Sequence, residues 1–504
     1  MAVKIILLIL FFGVMMGIGV YARKHATDVN GFVLGGRSVG PWLTAFAYGT
    51  SYFSAVVFVG YAGQFGYKYG LASTWIGIGN AVLGSLVAWV VLGRRTRIMS
   101  KHLGSMTMPD FFGKRYDSQS LRIAASVIAF IFLIPYTASV YNGLSYLFGM
   151  AFDVDFRICV VVMAVLTGVY VIIGGYMATA WNDLIQGIIM LFGIVAVIAA
   201  VLSGHGGFMA AVKELAQVPS SVMPGAYASF LGPDSANLFG VVILTSLGTW
   251  GLPQMIQKFY AIKDEKAVHT GTIISTLFAI VVSGGCYFLG GFSRISGVKE
   301  AVDGTVKYDT IIPTMLSSLP DILIGIVIVL VLSASMSTLS SLVLTSSSTL
   351  TLDFIKPLFV KKMNEKQQLV WMRVLLAGFI LISVVIALDP PAFIAQLMGI
   401  SWGALAGAFL APFLYGLYWK GVTRAAVWAS FICGVGITVA NMFFRFIASP
   451  INAGAFAMVA GLVIVPVVSL ISPKLKKETV EDVFHCLEEK VMVEQKLALP
   501  EEEE

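Results

Sequence analysis

Charge is the scarcest property of this chain: 12% of its 504 residues are Asp, Glu, Lys or Arg, against 58% hydrophobic, and the mean hydropathy is +0.88. A soluble protein of this length needs far more polar surface, so the composition specifies a polytopic helical membrane protein. Cysteine is equally thin. Cys159, Cys286, Cys433 and Cys486 are scattered without paired spacing, which leaves no pattern for a disulfide framework or a zinc site. The five histidines, His25, His102, His205, His269 and His485, stand outside or at the ends of the apolar runs, where they would not project as axial haem ligands. No GxxxxGK[ST] phosphate loop occurs, so the chain reads as neither an ATP-driven pump nor an enzyme. The net charge of +6 lies between the runs, with no basic stripe interleaved with aromatics, and gives no nucleic-acid signal.

What the chain has is apolar length. A first run, from Val3 to about Ala22, is followed by Arg23, Lys24 and His25 without a small-residue cleavage site, and reads as a retained span. Twelve more runs fall near 42-66, 72-93, 123-149, 157-176, 181-203, 237-260, 268-293, 318-352, 368-388, 392-418, 424-446 and 451-471. The expectation is thirteen transmembrane helices in an all-α fold, with the N-terminus outside. Arg94, Arg95, Arg97, Lys101, Lys114, Arg115 and Arg122 then share one cytoplasmic connection, and Lys356, Lys361, Lys362 and Lys366 another. Connections assigned outside carry acids instead, at Asp153, Asp155, Asp303 and Asp389. The segment 472-504 is charged, ends in four glutamates, and reads as a partly disordered cytoplasmic tail.

Two spans are interrupted at mid-depth. One carries Gly49, Thr50, Ser51 and Ser54; the other reads SLGTWGLPQ, with Gly248, Gly251 and Pro253. Glycine and proline there free backbone groups that lipid cannot satisfy, so the unwound segments must face protein or a wet cavity. The two lie five spans apart, which predicts inverted five-helix repeats over 42-203 and 237-418. One extra span (1-22) then precedes them and two (424-471) follow.

A third signal is the stretch Ser333 to Asp353, SASMSTLSSLVLTSSSTLTLD, with more hydroxyls than a lipid-facing helix can use. At 100° per residue Ala334, Ser337, Thr338, Ser341 and Thr345 share one stripe. Stacked neutral oxygens suit a small hard cation; alternatively, they allow close helix packing and back-bond to their own helix. Asp183, just inside the sixth run, caps that helix or ligates a cation. The absence of any Lys or Arg within the spans to neutralise it favours the cation.

These stretches resemble the sodium/solute symporters, which include proline, pantothenate, monocarboxylate and sugar carriers. The matching residues are GGRSVGP (Gly35 to Pro41), TSYFSAVVFVG, WNDLIQ, GLPQMIQKFYAIKDEKAVH and MSTLSSLVLTSS, in the right order over nearly the whole chain. The resemblance implies a leucine-transporter-type fold and a sodium site made by the carbonyls of Thr50, Phe53 and Ala334 with the hydroxyls of Ser337 and Thr338. A second sodium, held in some members, maps to Asp183, Ser337, Ser340 and Ser341. The solute is expected against Ser51, Tyr52, Ser54, Tyr136, Thr249 and Trp250. Proline carriers of the family have an aspartate where this chain has Tyr52, and Tyr52 with the GLP turn looks more like the pantothenate and monocarboxylate branch.

The expected activity is therefore sodium-coupled import, by alternating access across the cell membrane, of a small organic solute. Without a mid-depth cation an anion would rest on half-helix N-termini and the sodium, which suits a monocarboxylate, a pantothenate-like solute or a zwitterion such as proline. The rival is a proton-coupled carrier of a neutral solute or sugar, with Asp183 as the proton site.

Overall fold

A computed structural model describes residues 2–152, 154–297 and 306–498; Asp153 and Asp303 lie outside the described residues. Helix α1, Ala2–Ala22, is unbroken, and the GGRSVG turn leads into α2, Pro41–Tyr52. Helix α2 stops at the first break, after which a wide turn at Val56–Tyr61 opens α3, Ala62–Tyr69. Then come α4 (Thr74–Ala81), two further wide turns, and α5 (Arg94–His102), followed by α6 (Met108–Arg115), α7 (Gln119–Phe152) and α8 (Phe156–Gly204). The second broken pair is α9 (Ser235–Leu247) and α10 (Pro253–Ala261), bent by 48°. Helices α11 (Glu265–Gly290), α12 (Asp321–Thr349), α13 (Glu365–Leu388), α14 (Ile394–Tyr418), α15 (Arg424–Phe444) and α16 (Pro450–Ile471) follow, and α17 (Lys477–Ala498) closes the described chain.

Ten of the described helical stretches are long and apolar enough to cross a membrane, or eleven with the bent pair counted as one span. Two of the ten contain sharp breaks. Gly70 (φ +61°, ψ −142°) interrupts Val56–His102, and Gly175 (φ +54°, ψ −150°) interrupts α8. Only glycine adopts these backbone angles without steric cost. Helix α8 has 49 residues, about 73 Å of helix against a hydrocarbon core of about 30 Å.

Helices α12 and α14 form the centre of the bundle. Every residue from Ser333 to Thr349 is buried, with α12 packed against α7, α8 and α2. The outer helices instead present large apolar side chains, among them Phe192, Leu381, Ile432 and Leu470, as a lipid-facing surface requires. Close approach is achieved by small residues: a Cβ on Gly66 of α3 would stand 2.1 Å from the Gly290 carbonyl of α11.

At one end the basic connections tie the helices together. Arg122 bonds Asp353 (2.8 Å) and Asp110 (3.2 Å), Arg115 donates to the Gly416 and Trp419 carbonyls, and Arg424 reaches the Tyr116 carbonyl. The GGRSVG turn serves the same end. Arg37 donates to the Ser100 hydroxyl and the Tyr260 carbonyl, and Val39 pairs its backbone with Ala261 and Lys263.

Most of the tail is ordered as one helix, and its last residues, 499–504, lie outside the described residues. Lys477–Ala498 is helical, and Val480, Val483 and Phe484 are buried against α5 and its surroundings, with Phe484 under the Arg115 and Lys420 cations. Their i, i+3, i+4 spacing makes an apolar stripe that needs a partner.

Candidate functional site: a buried cation cradle between two broken helices

Back-bonding accounts for part of the hydroxyl-rich helix. Ser335, Ser340, Ser347, Ser348 and Thr351 donate to carbonyls three or four residues earlier on their own chain. Three members of the predicted stripe do more. Thr338 lies against the first break, Ser341 meets Ser51 and Lys258, and Thr345 donates to the Gln257 side chain at 2.7 Å. The stripe thus faces both broken spans.

At Thr338 one hydroxyl proton is set among three carbonyl oxygens: Ala334 at 3.1 Å, Thr50 at 3.2 Å and Ser51 at 3.4 Å. One donor cannot satisfy three such acceptors, so the cradle has excess lone pairs and suits a cation. Ser337, the next residue, is also buried. Phe53 sits at the break (φ −107°, ψ 87°), where its carbonyl leaves the helical direction while its N–H still bonds Gly49.

The residues assigned to a second sodium are differently engaged. Asp183 is fully buried, with the Ser337 side chain against its carboxylate. Lys258 Nζ stands 3.8 Å from it and donates to Ser341 Oγ at 2.9 Å. This corrects the sequence-based statement that no Lys or Arg within the spans can neutralise Asp183. Lys258 lies near the end of its apolar run, but the bend after Gly251 carries α10 into the bundle and leaves the side chain 2% exposed. Ser340 is committed to the Ser337 carbonyl.

Of the residues assigned to the solute, Ser51 turns toward Ser341, at 2.8 Å. Tyr52, Thr249 and Trp250 spend their polar ends on the carbonyls of Thr245, Gly84 and Leu83. Ser54 caps the restarting helix by accepting the Val56 N–H at 3.1 Å. Tyr136 is the exception: its buried hydroxyl reaches no backbone carbonyl but lies against Ser54 and Trp402, and its ring meets Trp402 edge-on at 5.8 Å. Trp402 packs on Gly248 at the second break. Sequence reasoning missed Lys258 and Trp402. The signal for the latter was a tryptophan set among Gly, Ser and Ala in an otherwise apolar span.

Two broken helices clasping an oxygen-lined rod define a secondary transporter driven by a bound cation. The chain belongs to the sodium:solute symporter family, whose description matches residues 32–434, and sodium is its coupling ion. Curated relatives include the sodium/proline symporters of Staphylococcus aureus strains JH9 and NCTC 8325 / PS 47, each 28% identical over 486 residues, 94% of this chain and 93% of theirs. Among solved structures, a Na+-coupled sialic acid symporter in a substrate-bound outward-open state superposes with a TM-score of 0.77. It is 16% identical, with 94% of this chain and 98% of that one covered. A nucleobase-cation-symport-1 family transporter in a closed conformation gives a TM-score of 0.55 at 13% identity, over 90% and 97% of the two chains. At these identities the structures support the fold alone.

Proposed function

We propose that this protein imports a small solute bearing one carboxylate together with sodium, which binds at the Thr50, Phe53, Ala334, Ser337 and Thr338 cradle. The observation that carries the reading is the single Thr338 hydroxyl facing three carbonyl oxygens of two different elements. A sodium ion there draws the first broken helix onto α12 and favours one arrangement of the bundle over another, as coupling requires. At about 100 mV one charge supplies roughly 2.3 kcal/mol, and a tenfold sodium gradient about 1.4 more. Together they support accumulation of a neutral solute on the order of several hundredfold.

Counting α2 with α3 as one broken span, and dividing at Gly70 and Gly175, gives thirteen crossings. Spans two to six and seven to eleven then form the inverted repeats. The gathering of Arg94–His102, Arg115, Arg122 and Arg424 at one end supports a cytoplasmic assignment for that end and for the tail.

The contact of Tyr136 with Ser54 and Trp402 between the breaks supports a position there for the solute. That cluster holds no acid for a substrate ammonium, which favours a monocarboxylate or pantothenate-like solute, while the names of the relatives favour proline. The Lys258 side chain, 3.8 Å from Asp183, weighs against the proton-coupled reading, because a basic group already stands beside the carboxylate that would have to pick up the transported proton. Uptake of labelled lactate, pantothenate and proline into liposomes, with sodium and proton gradients imposed separately, tests the proposal. Accumulation of one of them in sodium but not in potassium or choline is expected; equal accumulation in all three media would overturn it.

A further inference from the structure

Lys258 and Asp183 are the only cation and anion in contact at the heart of the described bundle, and both are almost completely buried. The ammonium lies 2.9 Å from the Ser341 hydroxyl, 3.8 Å from the Asp183 carboxylate and 5.2 Å from the centre of the Tyr176 ring. A carboxylate, a hydroxyl and an aromatic face are what a bare cation would seek in this place. Ser341 closes the set by a 2.8 Å hydrogen bond to Ser51, whose carbonyl lines the sodium cradle.

We propose that the Lys258 ammonium is a tethered cation filling the position where a second sodium would otherwise sit, so that the chain binds one sodium and not two. This rests on the sodium reading of the Thr338 cradle. Asp183 and Lys258 together are neutral; a sodium added between them would leave an uncompensated positive charge in a low-dielectric interior, pressed against the ammonium. The covalent tether spares the charge any loss of translational freedom on binding, so it competes well with a free ion. Unlike sodium it is never released, and it draws nothing from the gradient. It gives the site the charge that the fold needs for Asp183 while leaving transport coupled to one ion.

The test is equilibrium binding of radioactive sodium to the purified full-length protein in nanodiscs, with the number of ions counted per chain. The wild type is expected to bind one ion without cooperativity, and Lys258→Arg likewise. Lys258→Met, which removes the charge and keeps most of the length, is expected to bind a second, and Lys258→Met with Asp183→Asn to return to one. Thermal melting gives an independent readout: sodium chloride should raise the melting temperature of Lys258→Met more than that of the wild type, with potassium chloride as the control. Two ions in the wild type, or one ion and an unchanged sodium response in Lys258→Met, would overturn the proposal. If Lys258→Met does not fold, the wild-type count still decides, since two ions there sink it. Failure of the wild type to bind any sodium would instead refute the cradle on which the proposal stands.

Discussion

Ser51 and Ser341 share a 2.8 Å hydrogen bond between the first break and the central helix, and Ser341 also receives the Lys258 ammonium. The carbonyl of the same Ser51 lies 3.4 Å from Thr338, three residues before Ser341 on α12. Ser51 therefore touches both the proposed sodium cradle, through its carbonyl, and, through Ser341, the Lys258 ammonium.

Removing cradle oxygens should weaken sodium specifically. Thr338→Ala and Ser337→Ala are each expected to raise the sodium concentration for half-saturation tenfold or more, equivalent to about 1.4 kcal/mol. Thr338→Ser, which keeps the hydroxyl, should stay near wild type. Sodium-dependent melting of the purified variants measures this without knowledge of the solute.

At the basic end, Arg122 is the principal partner of Asp353, which is fully buried and also accepts the Thr107 hydroxyl. Removing one member of a buried pair leaves the other uncompensated, at a cost of about 3–5 kcal/mol. Arg122→Ala should therefore melt well below wild type. Arg122→Met combined with Asp353→Leu should recover much of the loss, and calorimetry on the three proteins separates the cases.

Asp309, in the connection before α12, is buried and accepts the Ile394 N–H at the start of α14. Burial pushes its carboxyl up to about 6, from an ordinary value of 3.8. Between those two values the folded protein binds more protons at this group than the unfolded chain does, so its contribution to stability rises as pH falls from about 6 toward 4. Asp309→Asn should flatten that part of the melting-temperature profile. An unchanged slope would assign the pH dependence to other groups.

The contact of Gly66 with Gly290 leaves no room for a methyl group, because the opposing atoms are backbone. Gly66→Ala should destabilise by about 1–3 kcal/mol through overpacking. Gly378→Ala, in α13 where nothing lies within 4 Å of a built Cβ, should be neutral or stabilise by about 0.5–1 kcal/mol. Thermal melting of the two variants side by side provides the comparison.

The apolar runs, both breaks and the hydroxyl stripe were legible because periodicity and glycine or proline placement act locally. The amphipathic pattern of the tail helix was equally present, but its run of charges masked it. Lys258 was not legible: a lysine near the end of an apolar run has the appearance of an interfacial anchor, and only the turn of α10 into the bundle makes it internal. For the same reason the sequence could not say that Tyr52, Thr249 and Trp250 would find carbonyls on other helices while Tyr136 and Trp402 would not. Those partners lie 165 to 193 residues away along the chain.

The backbone pairing of Val39 with Ala261 and Lys263 joins the entrance of α2 to the exit of α10. The two interrupted helices are thereby yoked at one end, and displacing either alone would break main-chain hydrogen bonds that a joint movement leaves whole. In the proposed import cycle, the motion that costs least would swing that linked pair as a single lever.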